Sequence, residues 1–336
     1  MKHRIEFGRL RTMVIFVAGL LVCAALTISP QAAAADTSTK YLGVFRETSP
    51  SQILSGTVSR YGVTPASVMW FDSWATGNAF NAAEARALWN QGVMTHFTWE
   101  PWNPALGASD ADQIHLQDIV NGKWDGYIKA RGAEFASVGA PIMVRWGHEF
   151  NGDWYEWGFC SRPKNNPPAT ACRYKTTPAQ FKKAWRRIHN IFTKAGATNA
   201  IWMWSPNEVG PRSEVKLKPF YPGDAYVDWI GLIGYYRSTS STYAKVFTPS
   251  IKQLRKFTKK PILIGEVSTL PGKSRPRQVR DFLKNVAADP GVIGFIWFNK
   301  DQRKNEGPNG DYRVERDKAS VKAFKTGLKK GYFGRK

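Results

Sequence analysis

Cysteine, acidic residues and long apolar runs are all scarce in this sequence. Its 336 residues include only three cysteines, Cys23, Cys160 and Cys172. The 43% content of hydrophobic residues excludes a disordered tail, a coiled coil, a collagen-like rod and a small disulfide knot. Only 26 acidic residues oppose 48 basic ones, which gives a net charge of +22. The sequence is therefore that of a basic globular protein.

The one long apolar run lies near the N-terminus, at residues 13–26. It follows four basic residues and precedes small residues at 32–35. This is the pattern of a secretory signal peptide, and the run is too short to span a bilayer comfortably. We expect cleavage near Ala35, which leaves residues 36–336 as a secreted, extracellular protein without membrane attachment. An uncleaved anchor is the alternative; a lipoprotein is disfavoured because Val22, not a small residue, precedes Cys23.

Cys160 and Cys172 are the cysteines that remain after such cleavage, and they flank a loop rich in proline and asparagine. In an oxidising compartment we expect them to form a disulfide bond, which would contribute about 2 to 3 kcal/mol to stability. A metal site is the less favoured interpretation, because no second Cys or His pair stands at ligand spacing. We expect neither a metal nor a cofactor.

The positive charge persists without the first 35 residues, where 44 basic and 25 acidic residues leave +19. Such a charge attracts polyanions. The basic residues are densest at 182–187, 255–260 and 322–336, and no nucleic-acid-binding motif accompanies them. We expect a solvated basic surface that associates with anionic cell-wall polymers, with no specific nucleic-acid partner. A dedicated polyanion-binding site is the alternative.

Short β-branched or aromatic runs alternate with segments of helical spacing. Eight candidate strands cover residues 41–45, 67–71, 93–98, 141–145, 200–204, 229–235, 262–266 and 292–298. Helical patterns cover residues 82–89, 124–137, 178–194, 249–258, 278–288 and 318–329. The alternation predicts a single (β/α)8 TIM barrel. An open doubly wound sheet is the alternative, although no glycine-rich phosphate-binding turn follows the first strand.

Two glutamates stand at predicted strand ends: Glu149 just after the fourth strand, and Glu266 at the end of the seventh. The carboxyl ends of barrel strands form one mouth, and two carboxyl groups facing each other are what glycoside hydrolysis requires. Either glutamate alone is equally consistent with a helix cap or an ion pair. Other hydrolase motifs are absent, since Gly152 stands where a zinc protease needs its second histidine, and no Gly-x-Ser-x-Gly elbow occurs.

Tryptophan is unusually frequent, with 14 residues, several of them at or just past predicted strand ends. Flat apolar rings with a polar edge suit sugar rings, although each is also consistent with ordinary core packing. These residues are Trp99, Trp102, Trp154, Trp157, Trp204 and Trp297. His148 is expected to orient a carboxylate or a sugar hydroxyl, with a packed core histidine as the alternative.

The segment Arg-Trp-Gly-His-Glu-Phe-Asn-Gly-Asp-Trp at residues 145–154 resembles the acid/base signature of glycoside hydrolase family 26. Similar stretches follow the family order at residues 121–125, 202–207, 228–235 and 260–266. The resemblance covers most of residues 40–330. It implies the TIM barrel and the retaining mechanism, in which the two carboxyl groups stand about 5 to 5.5 Å apart.

Carried over by position, the resemblance implies Glu149 as acid/base and Glu266 as nucleophile. It also implies His148 as the histidine beside the acid, Trp154 as a sugar platform and Tyr235 as the hydroxyl that hydrogen-bonds the nucleophile. We expect further substrate contacts from Trp99, Trp204 and Trp297.

The expected substrate is the polysaccharide β-1,4-mannan, cleaved internally by a monomeric enzyme. Two departures from the mannanase pattern bear on this: Ile233 stands where aspartate is frequent, and Trp146-Gly147 replaces a proline-containing pair. Mixed-linkage β-glucan and β-1,3-xylan are therefore alternative substrates, and a non-catalytic carbohydrate-binding barrel is an alternative of another class.

Overall fold

Parallel strands close into a barrel. The computed structural model describes residues 40–106, 110, 112–159, 176–210, 215–330 and 333–334. The strands are β1 (Lys40–Phe45), β2 (Ser67–Ser73), β3 (Met94–Glu100), β4 (Ile142–Trp146), β5 (Ala200–Trp204), β6 (Trp229–Ile233), β7 (Ile262–Val267) and β8 (Val292–Phe298). Each pairs in parallel with the next, and β1 pairs with both β2 and β8, so the eight strands form a closed ring. The predicted TIM barrel is confirmed.

Helices connect the strands and surround the barrel. In the described part they are α1 (Pro50–Tyr61), α2 (Ala82–Asn90), α3 (Leu116–Asn121), α4 (Asp125–Val138), α5 (Pro178–Lys194), α6 (Tyr243–Val246), α7 (Thr248–Leu254), α8 (Arg275–Ala288), α9 (Arg303–Glu306) and α10 (Lys318–Lys330). A short strand, β9 (Phe333–Gly334), pairs with the start of β1. The six predicted helices are present, whereas α1, α3, α6, α9 and β9 were not predicted.

Successive side chains of each strand point to opposite faces of the sheet, so an apolar layer lies on each side of it. One face of each strand fills the barrel interior, with Met69, Met143, Met203, Leu263 and Ile296 among the buried residues. The other face packs against the helices. Helix α5 packs against the outer face of the barrel through one apolar stripe. The buried residues of this stripe are Phe181, Ala184, Trp185, Ile188 and Phe192.

Some predictions fall on residues outside the described ranges. These are the signal peptide at residues 1–35 and the disulfide between Cys160 and Cys172, and both stay predictions. Among the helices that the structure describes, none is long and apolar enough to cross a membrane.

Candidate active site

One large cavity opens at the carboxyl ends of the barrel strands. Its volume is about 960 Å³, and its lining includes Glu149, Glu266, His148, Trp154 and Tyr235. The fold thus brings two glutamates that are remote in the sequence into one cavity, together with three of the residues predicted to bind substrate. Their chemical roles follow from the contacts of each side chain.

Glu266 lies on β7 and is fixed by two partners. The Arg145 guanidinium places Nη2 at 2.5 Å from Oε1 of Glu266, and the Tyr235 hydroxyl donates a hydrogen bond to Oε2. Arg145 is itself fully buried and donates from Nε to the Thr98 hydroxyl at 3.0 Å. A positive charge and a hydroxyl donor both stabilise the ionised carboxylate. Glu266 is therefore held as an oriented anion.

Backbone packing also fixes the position of Glu266. A Cβ on the preceding residue, Gly265, would lie 2.7 Å from the carbonyl oxygen of Gly231 on β6. Only glycine permits this approach of β7 to β6. The register between β7 and its neighbour β8 shifts between Ile264 and Val267, which sets the direction of the Glu266 side chain at the end of the strand.

Glu149 lies in the loop after β4 in a left-handed backbone conformation, with φ of 53°. For a non-glycine residue this conformation costs roughly 1 to 2 kcal/mol. Two hydrogen bonds hold it: the Glu149 amide donates to the Ser205 carbonyl at 2.8 Å, and the Gly152 amide donates to the Glu149 carbonyl at 2.8 Å. The loop is tied further to the end of β5 by the Asn151 side chain, which bonds the backbone of Asn207 through both its amide nitrogen and its oxygen.

The ionisation of Glu149 differs from that of an ordinary glutamate. Burial, and then the negative charge of Glu266, raise its pKa to about 7. The indole Nε1 of Trp154 opposes this rise by donating to Oε2 of Glu149 at 2.8 Å. Near neutral pH Glu149 therefore populates both the protonated and the ionised form, as a group that alternates between acid and base must.

His148 is buried under the cavity and is held among aromatic rings. Its Nε2 lies 3.1 Å from the Tyr155 hydroxyl, and its ring centroid lies 5.8 Å from that of Phe71. Burial, and then the charge of Arg145, lower the pKa of His148 well below its usual value. His148 is therefore a neutral imidazole that positions the Tyr155 hydroxyl at the cavity wall.

Glu100, Tyr155 and Arg145 contribute to the site, although the sequence motifs assigned no role to them. Glu100 and Tyr155 line the cavity, as does Trp102, one of the tryptophans that the sequence suggested as a sugar-binding surface, and Arg145 contacts Glu266. A usable signal was present, because Glu100 and Thr98 share one face of β3 and Arg145 lies on β4 next to Thr98. A charged residue on the interior face of a barrel requires a partner there.

Trp99, Trp204 and Trp297 do not line the cavity, so the expectation that they contact substrate is wrong. Each is fully buried in the layer between barrel and helices. The Trp99 ring centroid lies 5.4 Å from that of Phe192 on α5, and the Trp297 centroid lies 4.9 Å from that of Phe324 on α10. Trp99 and Trp297 thus hold helices onto the barrel, whereas Trp204 packs against Phe150, Tyr221 and Phe257 in connecting segments.

Side-chain alternation explains the error. Successive residues of a strand point to opposite faces of the sheet. On β3 the residue that reaches the cavity is Glu100, next to Trp99, and on β8 it is Phe298, next to Trp297. Position at a strand end therefore does not suffice for a place in the mouth.

Metal ligands are not grouped in the part of the chain that the structure describes. No three His, Cys, Asp or Glu side chains there lie close enough together to hold a metal ion.

Comparison with known sequences places these residues in a family. The family model of glycosyl hydrolase family 26 matches residues 95–269, more than half of the 336-residue chain.

The chain is 28% identical over 272 residues to endoglucanase H of Acetivibrio thermocellus, covering 78% of this chain and 27% of that protein. It is 31% identical over 149 residues to a mannan endo-1,4-beta-mannosidase of Bacillus subtilis, covering 44% and 36%. A beta-1,3-xylanase of a Vibrio species is 23% identical over 233 residues, covering 60% and 46%. The chain thus spans between about a quarter and a half of these relatives.

Solved structures agree at the level of the fold. The catalytic domain of an endo-beta-1,4-mannanase from a Bacillus species aligns with a TM-score of 0.64 at 17% identity, covering 90% of this chain and 89% of that one. A double mutant of the Cellulomonas fimi endo-beta-1,4-mannanase aligns with a TM-score of 0.66 at 15% identity, covering 89% and 72%. With the resemblance read from residues 145–154 confirmed by the family model, the chain belongs to glycosyl hydrolase family 26.

Proposed function

We propose that this protein is a secreted, retaining, endo-acting hydrolase of β-1,4-mannan. One observation carries the proposal. Two glutamates share a cavity, one of them ion-paired with Arg145 as an anion, the other with its pKa raised to about 7. A carboxylate paired with a cation and a second carboxyl group with a raised pKa are what the nucleophile and the acid of a retaining glycosidase need.

In the first step, the ionised Glu266 carboxylate attacks the anomeric carbon, and the bond from that carbon to the departing oxygen breaks. Glu149 transfers its proton to the departing oxygen, so the first product leaves as an alcohol. A covalent ester joins the sugar to Glu266. Because the ester carries no charge, one cause of the raised pKa of Glu149 is gone, and Glu149 stays ionised.

In the second step, the ionised Glu149 takes a proton from water, and the resulting oxygen nucleophile attacks the anomeric carbon. The ester bond breaks, Glu266 regains its negative charge, and Glu149 is again protonated. Arg145 and Tyr235 then stabilise the released carboxylate as they do before the reaction. Two displacements restore the original anomeric configuration.

Glu266→Ala and Glu149→Ala test the assignment, with reducing-sugar release from galactomannan as the measurement. We expect both variants to lose hydrolysis by at least about a thousandfold, because each lacks a group that acts in the transition state. Glu208→Ala is the matched control, since Glu208 lies after β5 but does not line the cavity. Wild-type turnover by Glu266→Ala would show that Glu266 is not the nucleophile. Proton NMR of the first product would reveal an inverted anomer if the retaining mechanism were wrong.

A mixed-linkage or β-1,4-glucan is the second candidate substrate, and two observations favour it. The similarity to endoglucanase H covers 78% of this chain, against 44% for the mannosidase of Bacillus subtilis. Ile233 also stands where mannanases often have aspartate. Hydrolysis of galactomannan, barley β-glucan and β-1,3-xylan, with sizing of the products, distinguishes the candidates. Binding without hydrolysis of all three would instead support a non-catalytic carbohydrate-binding barrel.

Secretion and contact with the cell envelope belong to the same proposal. The basic residues at 322–330 include exposed lysines on α10, which suits attraction to anionic wall polymers. N-terminal sequencing of protein from the culture medium tests cleavage near Ala35. Adsorption to isolated cell walls should fall steeply as salt rises from 50 to about 500 mM; salt-independent adsorption would contradict an electrostatic association.

A further inference from the structure

Besides Glu149 and Glu266, the cavity lining includes Glu100, and one of its carboxyl oxygens has no hydrogen-bond partner among the described residues. It ends strand β3, is 8% exposed and lines the cavity. Its Oε2 accepts a hydrogen bond from Nε1 of Trp102 at 3.3 Å, whereas no residue of the described ranges hydrogen-bonds Oε1. Because Glu100 lines the cavity, Oε1 is free to bond a group that a substrate brings there.

Trp102 provides an apolar surface beside this carboxyl group. It is half-buried and lines the same cavity. The rings of Tyr155 and Trp157 stand at 89° to it, with centroids at 5.7 and 6.0 Å, which restricts its motion. A fixed indole suits the C–H face of a sugar ring, whose hydroxyl groups then need polar partners at the ring edge.

We propose that Glu100 determines substrate specificity by binding two neighbouring hydroxyl groups of a sugar residue that rests against Trp102. The inference rests on the proposed function, since it gives the cleaved polysaccharide one of its binding contacts. Glu100 takes no part in bond breaking here; Glu149 and Glu266 do.

The charges around Glu100 decide what kind of hydrogen bonds it makes. Burial raises the pKa of Glu100 to about 8, with Glu266 of β7 and Asp72 of β2 adding to the rise and Arg145 of β4 opposing it. Tyr155, from the loop after β4, stays protonated because its own pKa is raised further. Well below pH 8 Glu100 is thus mainly a neutral acid, which donates one hydrogen bond and accepts another. A pair of adjacent sugar hydroxyls, each able to donate and accept, matches this pattern.

The experiment measures oligosaccharide binding in a background that does not hydrolyse, Glu149→Gln, by isothermal titration calorimetry with mannopentaose and cellopentaose. Adding Glu100→Ala should raise Kd by about tenfold or more, because the sugar hydroxyls lose their partner. Adding Glu100→Gln should change Kd by less than about threefold, because an amide also donates and accepts.

The pH dependence gives a readout that does not rely on truncating the side chain. In the Glu149→Gln background, Kd should rise above pH 8, where Glu100 loses its proton. With Glu100→Gln added, Kd should stay constant from pH 6 to 9. If Glu100→Ala fails to fold, this comparison decides, since the same rise in both proteins would overturn the proposal.

Trp102→Phe tests whether Glu100 binds the substrate directly or only holds the Trp102 indole in position. It removes the N–H that bonds Glu100 but keeps an aromatic face, and we expect a smaller rise in Kd than for Glu100→Ala. The proposal is overturned if Glu100→Ala leaves Kd unchanged or if Trp102→Phe reproduces its whole effect. A wild-type protein that hydrolyses no glycan refutes the proposed function instead, while active wild type with an ineffective Glu100 series refutes only this inference.

Discussion

The hydrogen bond from Trp154 to Glu149 should set the upper pH limit of activity. Its donor is Nε1 of an exposed indole, 2.8 Å from Oε2 of Glu149. The bond favours the ionised form of Glu149, so its loss favours the protonated form and raises the pKa further. Because Glu149 must be protonated to act as the acid, Trp154→Phe should keep its activity to higher pH than the wild type.

The size of the change follows from the contact. A hydrogen bond to a charged group contributes about 1.5 to 3 kcal/mol; Trp154 is 46% exposed, so we take the lower end. About 1.4 kcal/mol corresponds to one pH unit. The alkaline limb of the profile, near pH 7 in the wild type, should therefore move to near pH 8.

The assay is the pH dependence of kcat/KM from pH 5 to 9, which reports the ionisations of the free enzyme. Trp89→Phe is the matched control, because Trp89 on α2 is also exposed, at 41%, and does not line the cavity. Profiles are repeated in the Glu100→Gln background, since Glu100 titrates in the same range. An alkaline limb that stays in place or moves to lower pH in Trp154→Phe would refute the reasoning, whatever happens to the absolute rate.

Three further substitutions test how the site is held. Arg145→Met leaves the Glu266 charge buried without its partner and should lower the free energy of unfolding by about 3 to 5 kcal/mol at pH 7 in urea titrations; an unchanged free energy of unfolding would contradict this. Gly265→Ala forces a Cβ to within 2.7 Å of the Gly231 carbonyl, so calorimetry should show at least about 1 to 3 kcal/mol of destabilisation, together with lower kcat. Trp297→Ala should lower the free energy of unfolding by about 3 to 5 kcal/mol without changing KM; a raised KM would show that this residue contacts the substrate.

The sequence predicts where the barrel strands lie, but it does not predict which residues of each strand point into the barrel. Runs of β-branched and aromatic residues locate all eight barrel strands, because strands buried on both faces are continuously apolar. The same continuity hides which residues face inward. Trp99 and Glu100 are adjacent, yet one packs under a helix and the other lines the cavity. When polar and apolar residues do not alternate along a strand, the sequence does not show which residues face the barrel interior. A charged residue such as Arg145 is the exception, because it identifies the interior face.

Helix α1 was missed although its starting signal is present in the sequence. Ser49 and Gln52 form a capping box with proline at the first turn, the same device that begins α5 with Thr177 and Gln180. The difference lies in the apolar stripe that follows, since α1 buries only three large side chains, with the small polar Thr57 between them. The cap predicts where a helix begins, and here it was the better guide than the apolar period.

The left-handed backbone at Glu149 places thermal stability and catalytic activity in conflict. Glycine is free of the steric conflict that a glutamate side chain meets at φ of 53°, so Glu149→Gly relaxes the loop while it removes the proton donor. Laboratory evolution that rewards survival at high temperature alone should therefore accumulate glycine at this position and yield sturdier but inert barrels. Selection for turnover is what keeps the strained residue in place.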